Sequence, residues 1–65
     1  MKIVLNGAVI ETECNTLTTL LESLKHDKKS IATAVNKEFV PVEQRDGYVI
    51  ADGDLIEVIA PMSGG

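Results

Sequence analysis

Aromatic residues are scarce in this chain of 65 residues, which has one tyrosine, one phenylalanine and no tryptophan. Apolar residues still make up 45% of the sequence, so it does not have the low hydrophobicity of a disordered chain. The core must therefore be built from Leu, Ile, Val and Ala. A chain this short buries only about 60% of the surface that its unfolded form exposes, which predicts one domain with a modest core.

Cysteine and histidine each occur once, as Cys14 and His26. A lone cysteine cannot form an internal disulfide, and a reducing compartment fits best. We interpret Cys14 as a small buried hydrophobe, because free cysteine is usually buried and no basic residue adjoins this one. His26 lies among lysines and is interpreted as a surface residue. One histidine supports neither a His-containing zinc site of ordinary ligand count nor a Ser-His-Asp relay.

Basic residues are fewer than acidic ones, six against ten, and the formal net charge is -4. This balance argues against nucleic-acid binding and favours a basic protein partner. The sequence has no apolar run near the roughly 20 residues that cross a bilayer, no signal-peptide pattern and no glycine-rich phosphate loop. We expect a cytoplasmic protein that binds neither membrane nor nucleic acid.

Two periodicities organise the first half of the chain. The segments 1–5 and 8–14 read as strands, joined by Asn6-Gly7, a dipeptide suited to a tight hairpin turn. Thr16 is a candidate helix cap. The apolar positions that follow have helical spacing and predict a helix over 17–25, with Leu17, Leu20, Leu21 and Leu24 on one face.

The second half is predicted to be mainly extended. Strand 31–36 continues through Phe39-Val40 after a kink at Asn36-Lys37, 43–47 is a polar loop, 48–50 is a short strand, and 55–60 is the last strand. Asp52-Gly53-Asp54 is interpreted as a turn rather than a metal or acid-base pair. The predicted fold class is α+β, a mixed sheet of four to five strands with one main helix on one face.

Residues 1–60 are expected to form the domain, and residues 61–65 a flexible tail. Two glycines in the last two positions arise by chance in about half a percent of chains, given glycine usage near 7%. Residues without side chains let a terminal carboxylate pass through a narrow channel. Five extended residues span about 16–18 Å, enough to reach a partner's active site.

The hypothesis is that the Gly65 carboxylate is the reactive group. A carboxylate is a poor electrophile and needs activation, commonly by adenylation, after which sulfur can displace AMP. The chain has no nucleotide site, so we expect it to bind no cofactor or metal and the activating partner to use the ATP.

Almost the whole chain resembles the ThiS family, sulfur carriers of thiamine biosynthesis within the ubiquitin-like β-grasp group. The resemblance rests on the order and spacing of several short segments. They are Met1-Lys2-Ile3, Asn6-Gly7, Thr16-Leu17, Leu20-Leu21, the run 34–41, Asp52-Gly53-Asp54, Ile56-Glu57-Val58, Ala60-Pro61-Met62 and Ser63-Gly64-Gly65.

The resemblance implies a β-grasp fold and a carrier rather than an enzyme. Gly65 would be adenylated by an E1-like adenylyltransferase of the ThiF type and converted to a thiocarboxylate. A system such as a cysteine desulfurase would supply the sulfur, and a thiazole synthase of the ThiG type would receive it. Gly64 would provide clearance, with Ser63 and Met62 in the partner's channel. The free carrier is expected to be a monomer.

Strand alternation offers a hypothesis for the docking surface. If Ile3, Leu5, Ile56 and Val58 face the helix, then Val4 and Ile59 face the other way. With Val35 and Phe39 they are predicted to form an exposed apolar patch.

Two alternatives stay open. One is a carrier like the small subunit of molybdopterin synthase, which shares the Gly-Gly ending. The other is a β-grasp binding module of the TGS type, which acts through its surface.

Overall fold

The computed structural model describes residues 1–25 and 30–60. These residues form a five-stranded sheet and one α-helix. In chain order the elements are β1 (Lys2–Leu5), β2 (Ala8–Glu11), α1 (Leu17–Ser23), β3 (Ala32–Val35), β4 (Glu38–Val40), a 3-10 helix (Val42–Gln44) and β5 (Leu55–Ile59). The strand order is β2-β1-β5-β3-β4, which puts the last strand at the centre. β1 and β5 are parallel and the other pairs are antiparallel, so the predicted mixed sheet is confirmed.

The first hairpin follows from its turn residues. Asn6 has φ 49° and Gly7 has φ 85°, the positive angles that a tight two-residue hairpin needs. The turn aligns Val4 with Val9 across the two strands. β2 ends at Glu11, three residues earlier than predicted, although the Thr12 N–H still donates to the carbonyl of Met1.

The helix begins at the predicted cap. The Thr19 N–H donates to the Thr16 hydroxyl, and the Thr16 N–H donates in return to the Thr19 hydroxyl, both at 3.2 Å. These bonds satisfy amide groups that a helix start leaves without partners. The helix ends at Ser23, earlier than the predicted Lys25, which has a left-handed φ of 61°.

The predicted kink at Asn36-Lys37 is wrong, because these residues form a second hairpin turn. Their φ angles are 53° and 72°, and they reverse the chain so that Val35 pairs with Glu38. Residues 48–50 are not a strand either. Val49 makes only an isolated bridge to Thr16.

The core lies between α1 and one face of the sheet. Helical spacing puts the apolar side chains of α1 on the face toward the sheet, and period-two alternation supplies the other side. The fully buried apolar residues include Ile3, Leu17, Leu20, Leu21, Val35 and Ile56. Aliphatic packing is thus the main source of stability, as composition predicted. No helix in the described ranges is long and apolar enough to cross a membrane.

One polar network crosses this aliphatic core. The side chain of Arg45 is only 2% exposed, and its Nη2 donates to the carbonyl of Ile31 at 2.7 Å. Its Nε donates to the Thr33 hydroxyl, which donates onward to the carbonyl of Val40. The network ties the segment after the 3-10 helix to β3 and β4. Composition gave no indication that a cation would be buried there.

Candidate functional site

The predicted reactive end of the chain lies outside the described residues. Met62, Ser63, Gly64 and Gly65 all fall beyond Ala60, and His26 falls in the internal gap. The structure does describe the strand that leads toward them. β5 ends at Ile59 in the middle of the sheet, with β1 and β3 as neighbours. How β5 is held therefore determines where the chain leaves the domain.

The C-terminal half of β5 is held by a side chain. β1 pairs with β5 at Leu5 and Ile56, and the Asn6 N–H donates to the Ile56 carbonyl. The chain then turns away at Asn6. The Val58 N–H donates to Asn6 Oδ1 at 2.9 Å, and Asn6 Nδ2 donates to the Val58 carbonyl at 3.3 Å. The amide group of Asn6 thus extends the sheet ladder by one position.

A second asparagine holds the start of β5. The Asn36 N–H donates to the Leu55 carbonyl at 2.7 Å, and the Leu55 N–H donates to Asn36 Oδ1 at 3.0 Å. Asn36 Nδ2 also donates to Asp54 Oδ1. Sequence reasoning noticed Asn6 only as a turn residue and Asn36 only as part of a kink. Side-chain bonds across as many as 52 residues of sequence have no local signal that could have revealed them.

The sheet face away from α1 carries an apolar surface. Directly paired residues share a face, so the pairing of Val4 with Leu55 puts them on one face, as do the pairings of Ile59 with Ala32 and of Phe39 with Ala34. Alternation along β5 and β3 joins these pairs on the same face. Phe39 is 68% exposed and Ile59 is 64% exposed, whereas Val4 is half-buried.

Val35 was wrongly assigned to this surface. It is 1% exposed and pairs with Ile56 on the face that packs against α1. In β3 the outward positions are Ala32 and Ala34. The error arose because the sequence does not show the phase of a strand whose alternate positions are all small or apolar.

The apolar surface has an acidic residue within it. Glu57 is exposed and lies on the same face of β5 as Ile59. It is paired with Ala34, which is in turn paired with Phe39. Glu57 thus places a carboxylate beside two exposed apolar side chains.

The two aspartates near β5 form a turn, as interpreted from the sequence. The Lys2 N–H donates to Asp52 Oδ1, and the Ala51 N–H donates to Asp54 Oδ2, both at 2.8 Å. Gly53, between the aspartates, has a positive φ of 87°. Across residues 1–25 and 30–60, no group of three or more His, Cys, Asp or Glu side chains is arranged to hold a metal ion.

Cys14 is half-buried and packs against the core. Its N–H donates to the Thr12 hydroxyl at 3.1 Å. Cys14 therefore packs as a small hydrophobe, but it is half-buried rather than buried as interpreted from the sequence.

Comparison with known proteins identifies the family. The family model described as "ThiS family" matches residues 3–65. The chain belongs to the ThiS family. It is 39% identical over 62 residues to the sulfur carrier protein ThiS of Thermus thermophilus, covering 94% of this chain and 95% of the relative.

Solved structures agree with this assignment. The crystal structure of thiamine biosynthesis protein ThiS from Geobacter metallireducens matches with a TM-score of 0.85 and 28% identity, over 100% of both chains. An NMR structure of a thiamine biosynthesis protein from the same organism has a TM-score of 0.83 and 28% identity, over 100% of this chain and 88% of the other.

Membership of the ThiS family confirms the central predictions. The fold is β-grasp, and the chain is a sulfur carrier of thiamine biosynthesis rather than a catalyst. The thiamine carrier is therefore favoured over the molybdopterin-type carrier and the TGS-type module. A sulfur carrier of this family acts together with an activating enzyme and with thiazole synthase.

Proposed function

We propose that the chain carries sulfur as a thiocarboxylate on Gly65. The observation that carries the proposal is the family match, which runs through residue 65 and so includes Gly64-Gly65. The fold supports it, because the strand before this segment is the central strand of the sheet and is anchored on both sides. A rigid domain attached to a reactive end is what a carrier requires.

The chemistry takes place in two steps, and both are supplied by partners. An oxygen of the Gly65 carboxylate attacks the α-phosphorus of ATP, and pyrophosphate leaves. Sulfide then attacks the acyl carbon, the bond between that carbon and the phosphate oxygen breaks, and AMP leaves with the oxygen. A donor that holds sulfur as a persulfide needs a thiol reductant to release it as sulfide. Adenylation is needed because the free carboxylate is too poor an electrophile for sulfide. ATP thus belongs to the activating enzyme and not to this chain.

The partners that fit these steps are specific. We assign adenylation to an E1-like enzyme of the ThiF type, sulfur supply to a cysteine desulfurase system, and sulfur acceptance to a thiazole synthase of the ThiG type. Gly64 gives clearance beside the acyl carbon, because it has no side chain. Ser63 and Met62 are proposed to lie in the partner's channel. All of these reactions are assigned to the cytoplasm, and the free carrier is assigned as a monomer.

The outer sheet face is the proposed docking surface. It is defined by Val4, Phe39 and Ile59, now without Val35. Exposed apolar side chains grouped on one face are typical of interfaces. Ile59 is the last residue of β5, so a partner on this face would also be close to the point where the chain leaves the domain. The net charge of -4 and the position of Glu57 favour a partner with basic residues around its binding site.

Mass spectrometry of the intact protein tests the proposal. The chain is incubated with ATP, sulfide and the E1-like enzyme. The expected product has gained the mass that corresponds to replacing one oxygen by sulfur. Deleting Gly65, or adding one residue after it, should abolish the gain. An unchanged gain in the deletion variant would contradict the proposal.

A cysteine variant supplies the matched control. Cys14 carries the one thiol of the chain and is an alternative place for sulfur to attach. A folded Cys14→Ala protein should gain sulfur at the same rate as the wild type. Loss of the mass gain in this variant would show that the sulfur attaches to Cys14 rather than to Gly65.

A further inference from the structure

We propose that Asn6 is a positioning residue for the carrier reaction. Its side-chain amide fixes the end of β5 and thereby sets the direction in which the chain leaves the domain toward Gly65. The inference rests on the proposed function, in which Gly65 must enter a partner's active site.

The geometry begins with a mismatch in strand length. β1 ends at Leu5, opposite Ile56, but β5 continues to Ile59. The turn at Asn6-Gly7 takes the chain away from β5 and toward β2. β1 therefore offers no backbone partner to the N–H and the carbonyl of Val58, and another group must bond them. Val58 is a buried residue, and buried backbone groups without partners are costly.

The Asn6 side chain is chemically matched to this gap. A primary amide has a donor and an acceptor in one plane, as a peptide group does. Oδ1 accepts from the Val58 N–H and Nδ2 donates to the Val58 carbonyl. Asparagine is also one of the few residues that readily adopt the left-handed conformation, here with φ 49°. One residue thus forms the turn and continues the ladder.

The bonds made by Asn6 determine how firmly the end of β5 is held. With Asn6 in place, Val58 has partners on the β1 side while β3 pairs along the other side. Without it, the last residues of β5 would be bound along one side only, as in an edge strand. A segment that is already ordered loses less entropy when a partner binds it. Asn6 should therefore lower the KM of the activating enzyme for the carrier.

Asn36 is a matched comparison that distinguishes a positioning role of Asn6 from a general contribution to stability. It also has a left-handed φ, also opens a two-residue turn and also bonds the backbone of β5. Its bonds go to Leu55, at the opposite end of the strand. A stabilising role predicts similar effects at both asparagines, whereas a positioning role predicts an effect on the reaction at Asn6 alone.

The experiment compares Asn6→Gly with Asn36→Gly. Glycine removes each side chain and still permits the positive φ, so no backbone strain is added. Carrier-dependent ATP–pyrophosphate exchange by the E1-like enzyme gives KM and kcat for each folded carrier. For Asn6→Gly we expect KM to rise about fivefold or more, the size expected from ordering one residue's backbone, with kcat unchanged. For Asn36→Gly we expect both constants to match the wild type.

Amide hydrogen exchange supplies the structural readout. The Val58 amide should exchange faster in Asn6→Gly, and it should be unaffected in Asn36→Gly. Asn6→Asp serves as a second variant if Asn6→Gly does not fold. It keeps the acceptor for the Val58 N–H but replaces the donor with a carboxylate oxygen, so KM should rise in this variant too.

The outcomes are distinguishable. Equal KM values for the two glycine variants would overturn the inference, as would a normal KM for folded Asn6→Asp. A wild-type carrier that supports no pyrophosphate exchange would instead contradict the proposed function.

Discussion

The Nε of Arg45 donates a hydrogen bond of 3.2 Å to the hydroxyl of Thr33, and both side chains are 2% exposed. The hydroxyl donates its own hydrogen bond to the carbonyl of Val40 at 3.1 Å. Thr33 therefore accepts from a cation and donates to the backbone at once. In a domain with one small core, this buried network fixes how the segment around Arg45 sits against the sheet.

Thr33→Val tests this network without changing the shape of the side chain. The change removes the acceptor for a buried guanidinium and the donor for a buried carbonyl. We expect the free energy of unfolding to fall by about 1–3 kcal/mol, the cost of leaving a buried polar group unsatisfied. Urea unfolding measures the loss. Thr18→Val is the matched control, because its hydroxyl donates to the exposed Asp46, and it should cost less.

Lys37→Gly addresses backbone strain in the second hairpin. Lys37 has φ 72°, and a left-handed residue with a side chain costs about 1–2 kcal/mol. Glycine removes this cost but adds about 0.5–1 kcal/mol of chain entropy in the unfolded state. We expect a net gain in unfolding free energy, seen as a higher urea midpoint with the same slope. A lower midpoint would show that the lysine side chain contributes contacts that outweigh the strain.

Phe39→Thr and Ile59→Thr test the docking surface. Threonine is β-branched and suits a strand, and it removes exposed apolar area at each position. Each change should raise the KM of the activating enzyme for the carrier and leave the unfolding free energy within about 0.5 kcal/mol of the wild type. Val49→Thr is the control, because Val49 is as exposed as Phe39 but lies outside the sheet. An equal rise in KM for Val49→Thr would contradict the assignment of the outer face as the docking surface.

The sequence was sufficient where local chemistry determines structure. Asn6-Gly7 has the glycine that a two-residue hairpin favours, and Thr16 precedes a clear helical repeat, so the first hairpin and α1 were predicted. Asn36-Lys37 forms a similar turn without a glycine, and it was mistaken for a kink. Propensity rules describe the usual residue for a conformation, and they fail where tertiary contacts hold an unusual one.

The anchoring of β5 could not be predicted from the sequence. The bonds between Asn6 and Val58 join residues that are far apart in the chain and depend on the parallel pairing of β1 with β5. The phase of β3 was equally hidden, since Ala32, Ala34 and Val35 are all apolar. The pairing register and the 1% exposure of Val35 show that it faces the core.

Fragmentation mass spectrometry of the C-terminal peptide tests the central claim most directly. The carrier is first treated with ATP, sulfide and the E1-like enzyme, and the peptide that ends in Gly64-Gly65 is then isolated. The account predicts that every fragment containing Gly65 carries the oxygen-to-sulfur mass increase and that fragments lacking Gly65 do not. Sulfur on any other residue, or a peptide of unchanged mass, would contradict it.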